Sequence, residues 1–163
     1  MPGQLEWVLL AYRMPREPST PRITVWRKLK RLGVAQVVDG LVALPLDART
    51  KEQVEWVGDE IVAGGGEATI WAARLGSARQ ERDLADRMAE LVAAEYRTVI
   101  DAAEASLVEA PAVRRRTLAR LRRELRRTGQ RDYFPPPERE VARRAVETLA
   151  DAHSGGPMNP VAP

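Results

Sequence analysis

The chain has 163 residues, 44% of them hydrophobic and 30% charged, which suits one compact domain or a domain with a helical appendage and excludes a wholly disordered chain. It has no cysteine, which excludes a disulfide framework, a thiolate nucleophile and a Cys-ligated metal. Met1 to Leu10 lacks the basic start and cleavage site of a signal peptide and is too short to span a bilayer, so a cytoplasmic protein with no membrane association is expected.

Residues 5 to 12 form a nearly continuous apolar run rich in strand formers, expected as a first strand. Ser19 and Thr20 supply capping hydroxyls and Pro21 suits a first helical turn. Val25, Leu29 and Leu32 follow at helical spacing until Gly33. Ala35 to Val38 and Leu41 to Leu44 are expected to pair antiparallel across Asp39-Gly40, a dipeptide suited to a tight hairpin turn. Thr50 with Gln53 fits a capping box for a second helix carrying Val54, Val57 and Ile61, which Gly64-Gly65-Gly66 ends. Ala68 to Ala73 completes the order β-α-β-β-α-β, so the expected fold class is α+β, a ferredoxin-like sandwich over residues 5–76 followed by a helical C-terminal extension.

The extension is expected over 77–152. A long amphipathic helix from Gln80 to about Leu107 carries Leu84, Met88, Leu91, Val92, Tyr96, Val99 and Ile100. An arginine-rich helix follows over 112–128, opened by Pro111 and closed by Gly129. Asp132 to Pro137 forms a rigid connection to a last helix ending near Leu149, and 153–163 is expected to be a disordered tail. Trp26 is expected to pack on the sheet or under the helical extension rather than stack on a base, and Trp7, Trp56 and Trp71 are expected in the core or at interfaces.

The formal net charge is only +3, but it is unevenly placed. Residues 22–31 hold five basic side chains and no acid, and 114–131 hold nine arginines against Glu124 alone, so the remainder carries about −10. On a helical wheel Leu118, Leu121 and Leu125 make one stripe, and Arg116, Arg120, Arg123 and Arg127 fall within about 60° of one another opposite it. Arg115, Arg122 and Arg126 flank them. Like charges at this spacing repel, so an anionic surface is expected to cover this face, nucleic-acid phosphate, an acidic partner or acidic surface of the same chain, with a plain solvated face as the remaining reading. Arg22, Arg27, Lys28, Lys30 and Arg31 repeat the theme on the first helix, where a solvated face is the ordinary reading.

Catalytic readings find little support. The single histidine, His153, falls in the expected tail and builds neither a Ser-His triad nor a multi-histidine metal site. The triple glycine lacks a P-loop lysine and precedes a strand, and Asp39 reads as a turn residue rather than a metal ligand. A non-enzymatic protein without catalytic residues, metal or cofactor is expected.

Trp7-Val8-Leu9-Leu10, Val25-Trp26-Arg27-Lys28-Leu29 with Leu32-Gly33, the Leu41 to Pro45 strand, Glu60 to Ala68, and Asp132-Tyr133-Phe134 together resemble the N-terminal region of ChrB proteins, regulators associated with bacterial chromate-resistance operons. The likeness spans most of residues 5 to 150. It implies a transcription-regulator module that binds DNA, with chromate as inducer in complete members. Longer members carry a second, C-terminal domain, whereas this chain stops at Pro163, so it reads as a short form and chromate sensing is not carried over to it. Arg27 and Lys28 lie inside the matching motif.

The expectation is therefore a DNA-binding regulator-like protein of chromate resistance. It would hold the phosphates of double-stranded DNA through Arg116, Arg120, Arg123 and Arg127, helped by Arg22, Arg27, Lys28, Lys30 and Arg31. The alternative is an interaction module whose arginine helix docks on acidic surface, in a homodimer or on a ChrB-type partner protein.

Overall fold

The computed structural model describes residues 4–155. The chain divides into two compact units, Met1–Met88 and Ala89–Pro163, with the division inside the third helix.

In the first unit β1 (Trp7–Arg13) leads to α1 (Ser19–Leu32), β2 (Ala35–Val38), β3 (Leu41–Pro45), α2 (Ala48–Ala63) and β4 (Glu67–Ala73), and the unit closes with the start of α3 (Ala78–Ser106). The four strands form one sheet in the order β2-β3-β1-β4, with every neighbouring pair antiparallel. The register sets Leu10 opposite Val42 and Ile70, and Val8 opposite Leu44 and Ala72, so alternation gathers these side chains on one face. Val8, Leu10, Val42 and Leu44 are buried there, as are Val25 and Leu29 of α1 and Val54, Val57 and Ile61 of α2. Gly58 of α2 is buried against that face, where a Cβ would make an ordinary contact of 3.4 Å with Ile70. The β2–β3 turn needs its glycine: Gly40 has φ +74°, and a Cβ would stand 2.6 Å from the Tyr12 carbonyl, whose own N–H donates to Gly40 O at 2.7 Å.

Both helix starts in this unit differ from expectation. α1 is preceded by Pro18, and no side chain caps it; Ser19 and Thr20 already lie within the helix. α2 starts one turn early because Asp47, not Thr50, is its cap. The Asp47 carboxylate accepts from Thr50 N at 2.7 Å, while Thr50 Oγ1 accepts from Asp47 N at 2.9 Å and donates to Pro45 O at 2.6 Å. These bonds account for a threonine buried to 0% exposure. Trp7 is buried, but Trp56 and Trp71 are 65% and 58% exposed, so neither belongs to the core. Trp56 lies on the side of α2 opposite Val54, Val57 and Ile61, and Trp71 alternates away from Ile70 on an edge strand.

The second unit is built from α3 beyond Met88, α4 (Pro111–Gly129) and α5 (Glu138–Ser154). Its core joins Val92, Tyr96, Val99 and Ala103 with Leu118 and Leu121 and with Ala142, Val146 and Leu149; Ile100 and Leu125 pack partly buried against them. Each helix contributes residues three and four apart, and full burial of a side chain such as Leu121 stabilises by about 1.5–3 kcal/mol. Leu91 is 65% exposed, because one residue before Val92 is about 100° round the helix from the buried stripe. α5 runs past Leu149 to Ser154, so His153 stands on a helix rather than in a tail; the rest of the expected tail, 156–163, lies outside the described residues.

Candidate nucleic-acid interface

α4 has a long-side-chain composition well suited to a helix, with Pro111 in its first turn where a missing N–H costs nothing. Leu118 and Leu121 turn into the core and fix the phase of the whole helix. That phase leaves Arg115, Arg116, Arg120, Arg122, Arg123, Arg126 and Arg127 exposed. Arg120 pairs with Glu124 at 2.9 Å, one turn along the same helix. Among the described residues the other six have no carboxylate within ion-pair distance. Seven guanidinium groups therefore share an arc of about 160° with one internal counter-charge. Arg114 differs: it is half-buried and donates to Leu107 O at 3.3 Å, closing the loop before α4.

The C-terminal turn of α4 is tied down by polar bonds. Thr128, 2% exposed, donates to Glu95 at 2.9 Å, and Arg131 donates to the same carboxylate oxygen. Nearby, the Tyr96 hydroxyl donates to Asp132 at 2.9 Å, and Arg139 approaches the same oxygen at 3.7 Å. Burial, and then the bond to Asp132, hold the Tyr96 phenol well above its ordinary pKa.

Sequence reasoning missed part of this surface. Arg126, Arg139 and Arg143 line one hollow of about 460 Å³ with Tyr96, Leu125 and Gln130, and Gly129 has no atom within 4 Å of where a Cβ would be. Two basic side chains of α5 thus stand beside Arg126, each shared with a carboxylate: Arg139 with Asp132 at 3.7 Å and Arg143 with Glu140 at 3.3 Å. The available signal was the one-turn spacing of Arg139 and Arg143, but their meeting with Arg126 depends on the turn through residues 130–137.

In the first unit α1 spreads its basic residues round the helix. Arg27 and Arg31 are exposed one turn apart, and Arg22 is exposed beside the helix start. Lys28 is engaged by Glu60 of α2, and the Lys30 ammonium sits 5.7 Å from the Trp26 ring centroid. Four of the nine expected contact residues, Arg116, Arg120, Arg123 and Arg127, are thus gathered on one face of α4, and the five of α1 are not gathered on a single face.

Among the described residues no group of three or more His, Asp or Glu is placed to hold a metal ion, and no helix is long and apolar enough to cross a membrane.

The model of one protein family, described as Protein ChrB, N-terminal, matches residues 22–111, just over half of the chain and less than the span of the sequence likeness. The match opens within α1 and closes at the first residue of α4, so the α1 basic residues lie inside it and the α4 arginines beyond it. Neither the curated proteins nor the solved structures yielded a match.

Proposed function

The chain belongs to the ChrB N-terminal family, which ties it to regulators of chromate resistance, and from that premise we propose that it is a non-enzymatic, DNA-binding regulator that holds duplex phosphates on the arginine face of α4. The observation that carries this reading is the bare charge: six exposed arginines of one helix lack a carboxylate partner among the described residues. An arginine array of this kind stabilises a protein only when an anion arrives, and polyanionic backbone supplies negative charge at about 1.7 Å intervals. Arg27 and Arg31 offer a second, smaller contact. Such contacts fix position and orientation and carry no sequence information. In the first unit the βαββαβ order and sheet order support the finer reading of a ferredoxin-like sandwich.

The competing reading, docking of α4 on acidic protein surface of a second copy or a ChrB-type partner, is supported by the exposed acids Glu52, Glu55 and Asp59 on α2. Gel-shift titration of the purified chain with the duplex upstream of its own gene and with a scrambled duplex, near physiological salt, separates the two. A retarded complex at micromolar protein is expected; free duplex throughout the titration favours protein docking.

A further inference from the structure

A cleft of about 490 Å³ opens in the first unit between α1, the end of β1 and the β2–β3 turn. Its walls include the rings of Tyr12 and Trp26 and the side chain of Ile23, which is 43% exposed. Planar rings beside an accessible aliphatic group suit a flat, apolar-faced ligand. Gln36 and Asp39 line the same cleft, with Gln36 Nε2 donating to Asp39 Oδ1 at 3.1 Å. Arg22 lines it as well and also lines the neighbouring hollow at the start of α1 with Ser19 and Thr20. Among the described residues neither Asp39 nor Arg22 makes an ion pair. The cleft thus offers aromatic walls, an accept-only carboxylate and a free guanidinium.

We propose that this cleft binds an unpaired guanine base, stacked on Trp26, with its ring N–H and amino group donating to Asp39 and its phosphate held by Arg22. An ionised carboxylate accepts at two adjacent oxygens and donates nothing. Guanine is the common base with two neighbouring N–H donors on one edge. Adenine and cytosine set a ring acceptor beside their amino group, which a carboxylate repels, and uracil and thymine have a single ring N–H between two carbonyls. Gln36 supplies the amide donor that the neighbouring guanine carbonyl needs. The Tyr12 hydroxyl, protonated at neutral pH as any phenol is, adds a donor, and burial first and the Asp39 charge second raise its pKa further. Aromatic stacking joined to edge hydrogen bonds is the general mode by which unpaired bases are held. The guanine can come from a free nucleotide or from an unpaired position in a strand.

Equilibrium dialysis of the full chain with GMP and with AMP tests the site, beside Asp39→Asn, which keeps a turn residue equally suited to precede Gly40. GMP should bind at least about tenfold more tightly than AMP, and Asp39→Asn should weaken GMP by about tenfold without weakening AMP, whose ring acceptor and amino group an amide matches better than a carboxylate does. Equal affinity for the two nucleotides, an unaltered GMP affinity in Asp39→Asn, or no saturable GMP binding at millimolar concentration would overturn the proposal. Replacing Arg116, Arg120, Arg123 and Arg127 by alanine should leave GMP binding intact, so the guanine site and the α4 phosphate surface stand or fall separately. Given GMP binding, displacement by a guanine-centred single-stranded trinucleotide at lower concentration than by GMP itself assigns the base to a strand; displacement only at higher concentration assigns it to a free nucleotide.

Discussion

Glu95 is the tie that holds the end of the arginine helix, and its removal has a magnitude set by what it leaves behind. Its carboxylate accepts from the Thr128 hydroxyl at 2.9 Å and from the Arg131 guanidinium. In Glu95→Ala the hydroxyl of Thr128, a residue 2% exposed, loses its charged acceptor, a loss of roughly 1.5 kcal/mol. Arg131 loses a pair in which the Glu95 side chain is 38% exposed, so solvent screening limits that part to about 0.5–1 kcal/mol. The variant should therefore unfold with a stability lower by about 2 kcal/mol, a fall in melting temperature of about 4–8 °C for a chain of this size. Thr128→Val removes the hydroxyl without leaving it unpaired and should cost less than Glu95→Ala. In the double variant the two effects should fall short of additivity, because both remove the same bond. Circular dichroism melts of the four proteins provide the comparison. A Glu95→Ala melt within 1 °C of the parent, or strict additivity in the cycle, would refute this account of how α4 is held.

Two pH-linked outcomes follow from the same kind of reasoning. Asp47 is held below the usual carboxylate pKa, chiefly by the Thr50 backbone N–H, so its cap is in place at neutral pH and is lost as pH falls below about 4. Asp47→Ala should cost about 1 kcal/mol at pH 7 in urea unfolding, and the gap from the parent should be narrower at about pH 3; a gap equally wide at both values would contradict the cap. Tyr96 has its pKa raised by burial and by its bond to Asp132, so its contribution is complete below about pH 10 and declines as pH rises through that value. Stability measured at pH 8 and 10.5 should fall more steeply in the parent than in Tyr96→Phe, and parallel declines would remove Tyr96 as the cause.

The first unit was legible wherever a local signal decides the outcome. Gly33, with φ +78°, stops α1; Asp39-Gly40 turns the hairpin; and the triple glycine after Ala63 ends α2, so every strand and helix was found in order. The α2 cap was missed because Asp47 and Thr50 both have capping side chains, and Thr50 is claimed by the Pro45 carbonyl and by the Asp47 N–H only once β3 has ended. The exposure of Trp56 and Trp71 was likewise illegible to a reading that weighed residue type above phase. On α4 the leucine stripe alone determined which arginines face outward. The fate of Lys28 was not readable, since Glu60 is 32 residues away and meets it only through the packing of α1 beside α2. Arg139 and Arg143 were overlooked for the same reason: their neighbour Arg126 lies across a turn.

The salt dependence of DNA affinity tests the central claim most directly. Fluorescence anisotropy with a labelled duplex, titrated from about 50 to 200 mM salt, should give the parent a steep linear fall of log K with log salt concentration. Replacing Arg116, Arg120, Arg123 and Arg127 by alanine removes three free guanidinium groups and one shared with Glu124, and each phosphate contact contributes about 0.9 to the slope. The account predicts a slope shallower by about 3 to 4 with affinity weakened on every sequence alike. An unchanged slope in that variant would contradict the assignment of the α4 face to phosphate.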